Sequence, residues 1–175
     1  MRRILLFRHA KSSWKDASLD DIDRPLAGGG RKAAKAMGRY VADDDLRPAI
    51  ILCSTAARTR ETLERSGKAL ARNVPTRFED GLYHDHAGPA ALLDRLRRLD
   101  DTLLSAMLIG HNPGLEELAS ALAADGDAGP LARMNEKFPT GALAVFDADV
   151  EVWKDLAPAC ARLERFVRPR DLEGR

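Results

Sequence analysis

Ile4-Leu5-Leu6-Phe7-Arg8-His9, near the beginning of the chain, is the stretch that decides the expected fold. Its run of apolar residues predicts a strand buried on both faces, as in a parallel α/β sheet. Three further runs of the same character follow along the chain, at 49–53, 106–109 and 142–146. The sequence therefore predicts four short strands, and the first of them ends at an Arg-His pair.

Helical patterns lie between these apolar runs, and the predicted helices cover 31–41, 57–71, 89–99 and 115–124. Strands that alternate with helices of about 10 to 15 residues predict βαβ units and a layered α/β domain. The stretch 151–156 is predicted as a last strand, paired with the fourth across an Asp-Ala-Asp turn. The segment 162–175, with five arginines, is expected to form a solvated and partly frayed end.

The composition is that of an ordinary globular domain, with 45% hydrophobic and 31% charged residues in a chain of 175. A formal net charge of +1 gives no global field that would draw the chain to nucleic acid or to an anionic membrane. The apolar runs are too short for a membrane span or a secretory signal, so a cytoplasmic location is expected. Cys53 and Cys160 make no disulfide framework or metal cluster and are expected to be buried free thiols.

Polar residues follow three of the predicted strands at their carboxyl ends, which is where ligands bind in open α/β sheets. Arg8-His9 follows the first strand, Ser54 to Thr59 the second, and Gly110-His111-Asn112 the third. A parallel sheet would bring two histidines and two arginines together at this edge. Each residue also has an ordinary structural explanation: a hydrogen-bonded histidine, a solvated Arg58 at a helix start, or a helix N-cap at Ser54-Thr55.

The same four side chains, taken together, would form a cradle for a tetrahedral dianion. The planar guanidinium of arginine can bond two phosphate oxygens at once. An anion bound at the start of a helix would also offset the unfavourable placement of Arg58 against the helix dipole. Phosphoryl transfer depends mostly on positioning and on stabilising charge on the phosphoryl oxygens, which such a cradle supplies.

These motifs resemble those of the histidine phosphatase superfamily, also called phosphoglycerate-mutase-like. The family pattern is an Arg-His at the first strand, a Ser-x-x-x-Arg-x-x-x-Thr stretch and a later Gly-His; here these are Arg8-His9, Ser54 to Thr62 and Gly110-His111. The branch that the chain resembles most is the short SixA-type phosphohistidine phosphatases. Four further elements carry that resemblance: Arg24-Pro-Leu26 followed by Gly28 to Gly30, Leu82-Tyr-His84, His111 to Leu115, and Pro139 to Ala142.

The resemblance spans about 2–170 and implies a three-layer α/β/α sandwich. The implied central sheet is mostly parallel, with one antiparallel edge strand. It also implies a single histidine phosphatase domain over 1–175, in which 158–175 forms a C-terminal tail.

The resemblance also implies roles for individual residues. His9 would attack phosphorus and become a transient phosphohistidine, while Arg8 and Arg58 bind the phosphoryl oxygens. His111 would contact the phosphoryl group and stabilise the transferring charge. Arg24 is expected to reach the same pocket, the alternative being a salt bridge with a neighbouring aspartate at position 20, 21 or 23. No metal or other cofactor is implied, since arginines take the place of a metal, and a phosphate or similar oxyanion is the expected occupant.

Larger members of the superfamily carry a glutamate, in a Leu-x-Glu segment, that protonates the leaving oxygen. Here the comparable place has Leu82-Tyr83-His84, with Glu79, Asp80 and Asp85 nearby. An alkoxide leaving group gains about 100-fold or more from a general acid, whereas the weak N–P bond of phosphohistidine depends on one less. The missing glutamate therefore favours an N–P substrate, with His84 as a substrate-binding residue or as the acid, and with His86 at the rim.

The leading hypothesis is a metal-independent phosphatase that acts on phosphohistidine of a partner protein. Only 52 residues lie between Arg58 and His111, too few for a large lid, and an open site suits a protein substrate. Asn112 is a further expected substrate-binding residue, and Trp14 either lies at the rim or packs over the sheet edge. The alternatives are a phosphomonoesterase for small metabolites, favoured by a buried carboxylate near the bridging oxygen, a non-catalytic phosphate-binding adaptor, and a mutase.

Overall fold

The computed structural model of the chain describes residues 1–83 and 87–174, without the side chains of Lys68 and Ala71. The strands are β1 (Arg2–Arg8), β2 (Ile50–Ser54), β3 (Thr76–Glu79), β4 (Ser105–Gly110), β5 (Ala123–Gly126), β6 (Leu143–Ala148) and β7 (Ala161–Val167). The α-helices are α1 (Gly28–Asp43), α2 (Ala57–Ala71), α3 (Pro89–Arg97), α4 (Gly114–Leu122) and α5 (Ala128–Glu136). The four predicted strands and four predicted helices all lie within or beside one of these elements.

A single seven-stranded sheet forms the middle layer, in the order β3-β2-β4-β1-β6-β7-β5. β1 pairs in parallel with β4, which pairs in parallel with β2, and β6 is antiparallel to both of its neighbours, β1 and β7. The mostly parallel α/β sheet is thus confirmed. The antiparallel strand, however, lies inside the sheet rather than at its edge, because β6 is apolar and buried on both faces.

Two hydrophobic layers cover the two faces of the sheet, because successive strand residues point to opposite sides. On one face, Leu5 and Phe7 of β1 pack with residues of α1 and α2. On the other face, Ile4 and Leu6 pack with residues of α3, α4 and the end of α5. This alternation produces the expected three-layer sandwich.

The C-terminal part of the chain differs from the sequence prediction. The stretch 151–156 is not a strand: it contains a short 3-10 helix, Trp153–Asp155, whose tryptophan is buried in the core. The expectation of a solvated end is wrong for Ala161–Val167, which form β7 beside β6. The arginines hid this strand: Arg162 faces outward among carboxylates, while Leu163 and Phe166 are buried. β3, β5 and α5 were also not predicted.

Two expectations from composition can be compared with the structure. Cys53 and Cys160 are both free thiols, as expected, and Cys53 is buried whereas Cys160 is half-buried. Across 1–83 and 87–174, no helix combines the length and the apolar character needed to cross a membrane.

The topology decides which loops meet at the site. β1, β2 and β4 are parallel, so the residues that follow them lie at one edge of the sheet. Because β6 runs the opposite way and β7 is reversed again, the segments before Leu143 and after Val167 lie at this same edge. Five connections therefore meet there.

Candidate active site

His9 follows β1 directly, and the backbone holds its ring in one state. The backbone N–H of His9 donates to the Gly110 carbonyl at 3.0 Å, which anchors the residue to the end of β4. Its ring Nδ1 lies 2.8 Å from the Ala10 carbonyl oxygen. A carbonyl only accepts, so Nδ1 carries the proton and Nε2 keeps its lone pair. The local fold therefore presents Nε2 as a nucleophile.

Burial and neighbouring cations keep this ring neutral. His9 is 7% exposed, and burial lowers its pKa from 6.5 to about 4, with the charges of Arg58 and Arg8 acting in the same direction. The hydrogen bond to Ala10 and the carboxylate of Asp21 oppose the shift but do not cancel it. At neutral pH the ring is an uncharged imidazole within the field of two guanidinium groups.

The spacing of the Ser54, Arg58 and Thr62 motif has a physical cause in the structure. The Thr62 hydroxyl accepts from the Ala10 N–H at 3.0 Å and donates to the Arg58 carbonyl at 2.7 Å, so α2 supports the peptide that orients His9. The Ser54 hydroxyl lies 2.9 Å from Nε2 of His111. Arg58 lies between Ser54 and Thr62 in sequence. One segment of β2 and α2 therefore positions the His9 peptide, Arg58 and His111.

Arg58 is 8% exposed and is bound by an aspartate that the sequence analysis considered only as a partner for Arg24. Its guanidinium donates to the Asp21 carbonyl at 2.6 Å and to Oδ2 of the same residue at 3.0 Å. The Tyr83 hydroxyl donates to that Oδ2 at 2.7 Å. Burial and the bond to Asp21 raise the pKa of Tyr83 to about 12, so the phenol stays protonated. Asp21 is thus a carboxylate at the rim of the arginine cradle, bonded to the cradle residue Arg58.

Nothing in the sequence distinguished Asp21 from its neighbours. It stands in an Asp-Asp-Ile-Asp run, where each acidic residue has the same local pattern. Only the fold shows which of the three reaches Arg58. Glu79 and Asp80, the carboxylates noted near the third strand, bond instead to Arg95 at 2.6 Å and to Thr55 at 2.7 Å.

Arg24 joins the site through Asp21 rather than through a direct contact with His9. The Arg24 Nε lies 3.6 Å from the Asp21 Oδ1, so the salt bridge considered as the alternative is present. Asp21 also pairs with Arg58 and thereby links the two arginines. The Arg24 guanidinium stacks 3.6 Å from the centre of the Trp14 ring. Trp14 is 70% exposed and therefore lies at the rim instead of packing over the sheet edge.

His111 and Asn112 complete the opposite wall. The rings of His111 and His9 have centroids 5.1 Å apart, and His111 is 8% exposed. The Asn112 amide donates to the Phe138 carbonyl at 3.0 Å, and one guanidinium nitrogen of Arg8 donates to the same oxygen at 2.7 Å. Arg8 and Asn112 are thus held side by side by one carbonyl.

A cavity of about 210 Å³ opens beside these groups. Its lining includes Arg58, Tyr83, His111 and Asn112. His84, expected to bind substrate, and His86 lie outside the described residues. The structure brings His9, Arg8, Arg58 and His111 into one region, with Asn112 beside them and Arg24 one ion pair away. Such a group of side chains can bind a tetrahedral anion next to an unprotonated imidazole nitrogen.

Comparisons with known proteins agree with this geometry. The model of the histidine phosphatase superfamily (branch 1) matches residues 4–93. An uncharacterised protein of Mycobacterium tuberculosis is 36% identical over 165 residues, which cover 93% of this chain and 99% of that protein.

Two solved structures share nearly the whole fold. A candidate phosphohistidine phosphatase SixA from Nakamurella multipartitia is 28% identical, with a TM-score of 0.82 and coverage of 96% of each chain. A candidate phosphohistidine phosphatase SixA from Agrobacterium tumefaciens is 31% identical, with a TM-score of 0.79 and coverage of 96% of this chain and 98% of that one.

Proposed function

This chain belongs to the histidine phosphatase superfamily and is a phosphatase, and we propose that it hydrolyses phosphohistidine on a partner protein through a covalent phosphohistidine on His9. The observation that carries the proposal is the state of the His9 ring. Its Nδ1 is bonded to the Ala10 carbonyl, its Nε2 is unprotonated, and it is buried beside Arg58 and His111. Activating a nucleophile in this way needs no separate base.

In the first proposed step, His9 Nε2 attacks phosphorus and the bond from phosphorus to the leaving nitrogen breaks. Arg8 and Arg58 stabilise the charge on the phosphoryl oxygens. For His111 we propose the tautomer in which the Ser54 hydroxyl donates to Nε2 and Nδ1 carries the proton, so that Nδ1 is a donor for a phosphoryl oxygen. In the second step, water attacks phosphorus, the bond to Nε2 breaks, and inorganic phosphate leaves.

We assign the proton for the leaving nitrogen to Asp21. The Asp21 carboxylate bonds to Arg58, so it lies beside the phosphoryl group that Arg58 would bind. In this role Asp21 transfers a proton to the leaving group as the bond to phosphorus breaks. Its position between Arg58 and Tyr83 supports this role, for which the sequence offered either His84 or a reaction without a dedicated acid.

The openness of the site supports a protein substrate. Trp14 is largely exposed, and the Asp21 side chain is 42% exposed, so both can meet a phosphorylated side chain that arrives from outside. A small metabolite would need contacts that enclose it. Because two arginines supply the positive charge, we expect hydrolysis to proceed without a metal ion.

The test compares initial rates on a histidine-phosphorylated protein with rates on simple phosphate monoesters, with and without a chelator. We expect the phosphohistidine protein to be hydrolysed with the higher kcat/KM, at a rate that the chelator does not change. A preference for monoesters would overturn the substrate assignment, and loss of rate with the chelator would overturn the arginine cradle.

A phosphomonoesterase for small substrates is the second candidate, and Asp21 is the observation that favours it. Ester hydrolysis needs a proton donor for the alkoxide, and Asp21 is a carboxylate bonded to the cradle residue Arg58. The Asp21 side chain is 42% exposed, however, whereas the feature expected for this candidate is a buried carboxylate. The Asp21→Asn variant described below tests whether Asp21 supplies that proton.

A further inference from the structure

A second cavity, of about 400 Å³, lies at the same edge of the sheet as His9. Its walls come from the end of α5, the segment before β6 and the segment after β7. The topology places all three beside the catalytic edge, on the side of β1 away from Arg58 and His111. The charged lining residues are Arg133, Glu136, Lys137, Arg168, Arg170 and Glu173.

Gly141 joins this cavity to the nucleophile. Its N–H donates to the His9 carbonyl at 2.9 Å and lies 3.2 Å from the Arg8 carbonyl. Its φ is +77°, and a Cβ on it would lie 2.8 Å from Cγ of Pro169, so only glycine fits there. The wall of the second cavity therefore packs directly against the backbone that carries His9.

The cavity is basic. Four of its lining side chains are cationic and two are anionic. Arg168 is held by Asp171 through two bonds, at 3.0 and 2.8 Å. Among residues 1–83 and 87–174, no carboxylate forms a salt bridge with Arg133, Lys137 or Arg170, and the buried Nε of Arg133 has no hydrogen-bond partner. Positive charge is thus left available for a ligand.

The wall that carries these charges is built before any ligand arrives. The Arg168 N–H donates to the Asp171 carboxylate at 2.8 Å, which closes the short 3-10 helix Pro169–Leu172. Leu172 packs against the core cluster that includes Tyr40 and Val41 of α1. A preorganised surface loses little entropy on binding, which favours recognition.

We propose that this second cavity binds acidic side chains of the phosphorylated partner protein, while the phosphoryl group of that protein lies in the arginine cradle. The inference rests on the proposed function, since it concerns the same substrate. Four cationic groups that line about 400 Å³ together with Glu136 and Glu173 suit several separate carboxylates better than one compact anion. Complementary charge of this kind steers the partner and fixes its orientation.

Three synthetic substrates test the proposal. The first is a phosphohistidine peptide with glutamates on both sides, the second is the same peptide with glutamines in their place, and the third is free phosphohistidine. At low salt we expect a kcat/KM about 10-fold higher for the glutamate peptide than for the glutamine peptide, a difference that falls as the salt concentration rises. Because salt screens charges, the measurements at higher salt show whether charge causes the preference for the glutamate peptide.

Charge reversal locates the effect. In the variant Lys137→Glu with Arg170→Glu, the preference for the glutamate peptide should disappear, while kcat/KM for free phosphohistidine stays unchanged. The matched control is Arg98→Glu with Lys154→Glu, which makes the same change of charge at the opposite edge of the sheet. This control should keep the preference, and circular dichroism should show both double variants folded.

The possible outcomes separate the two proposals. If none of the three phosphohistidine substrates is hydrolysed, the proposed function fails. If all three are hydrolysed and the two peptides react equally, the function stands and the second cavity is not a subsite for acidic side chains. A charge-reversed variant that loses activity on free phosphohistidine as well would also overturn the inference, because the cavity would then serve the phosphoryl group itself.

Discussion

The buried cradle (Arg8, His9, Arg58 and His111) and the exposed rim (Trp14, Asp21 and Arg24) are in contact through the Arg58–Asp21 ion pair, yet different interactions hold them. His9, Arg58 and His111 are each less than a tenth exposed. The end of β4 anchors His9 and a buried hydroxyl bonds to His111, while Arg58 is tied to the rim by Asp21. Asp21, Arg24 and Trp14 are held by ion pairs and a stacked ring that water can reach. The difference teaches that burial accompanies the groups proposed for phosphoryl transfer, whereas exposed charge positions the groups proposed to meet the substrate.

The rim is nevertheless anchored at its base. The Leu26 N–H donates to the Glu61 carboxylate at 2.7 Å, and Arg31 bonds to the other oxygen of that carboxylate at 2.5 Å. The Ala27 N–H donates to the Lys11 carbonyl at 2.8 Å, close to the nucleophile. Its outer part, from Trp14 to Arg24, has weaker support, because exposed ion pairs contribute little to stability.

Removing the nucleophile should have the largest effect. His9→Ala takes away Nε2 and should lower kcat for a phosphohistidine substrate by about 10⁴-fold or more. Steady-state kinetics measure the loss, and circular dichroism checks that the fold remains. Trapping the enzyme during turnover should also give a phosphorylated chain in the wild type and none in the variant. Undiminished turnover by the variant would show that the cradle is not the reaction centre.

Removing a charge from the cradle should come next. Arg58→Ala should lower kcat by about 10² to 10³-fold, because a buried guanidinium stabilises charge more strongly than one in water. Arg60→Ala is the matched control: Arg60 is exposed on the same helix and stacks on Phe78. Its rate should stay within about 2-fold of the wild type. Equal losses in the two variants would mean that burial does not distinguish cradle from surface.

The rim residue Asp21 should show an effect that depends on the substrate. Asp21→Asn keeps the shape but cannot transfer a proton, so hydrolysis of an alkyl phosphate ester should fall by about 100-fold. Hydrolysis of phosphohistidine should fall by less than about 10-fold, because its leaving nitrogen also takes a proton from water. Measurement of kcat for both substrates shows whether the loss in the Asp21→Asn variant depends on the substrate. A large, equal loss on both would place Asp21 with the cradle.

The sequence predicted the buried cradle and strands better than the exposed rim. The cradle was predictable because His9, Arg58 and His111 each follow an apolar run, and parallel strands end at one edge. β6 was predictable for the same reason, since burial on both faces leaves a continuous apolar run. β7 was missed because its outward face carries arginines that mask an alternating pattern. β3 was missed because its residues are mostly exposed at the sheet edge.

The rim was less predictable because long-range contacts decide it. Asp21 meets Arg58 across 37 positions of sequence, and no local signal separates it from the acidic residues on either side. The salt bridge given as the alternative for Arg24 is present, and the shared carboxylate of Asp21 links Arg24 to Arg58. That Arg24 itself reaches the pocket stays a prediction. Pairings of this kind depend on how loops pack, which sequence patterns do not encode.

The smallest predicted effect concerns the protonation of His9 and tests whether burial alone keeps the nucleophile ready. Because its pKa is lowered to about 4, about nine-tenths of the rings stay neutral at pH 5, whereas a histidine with a pKa of 6.5 would be about 3% neutral there. Titration of the ¹⁵N-labelled ring by NMR in the substrate-free enzyme should therefore give a midpoint near 4 and a protonated Nδ1 throughout.

The same shift should appear in stability. Between pH 6.5 and pH 4 the unfolded chain binds a proton at His9 that the folded chain does not, so the free energy of unfolding falls as the pH is lowered through this range. His9→Asn removes that contribution, and denaturant titrations at pH 7 and pH 5 should show a smaller loss of stability in the variant. A midpoint near 6.5 together with an equal loss in both proteins would contradict the buried state of the ring. The distinction between cradle and rim would then rest on charge alone.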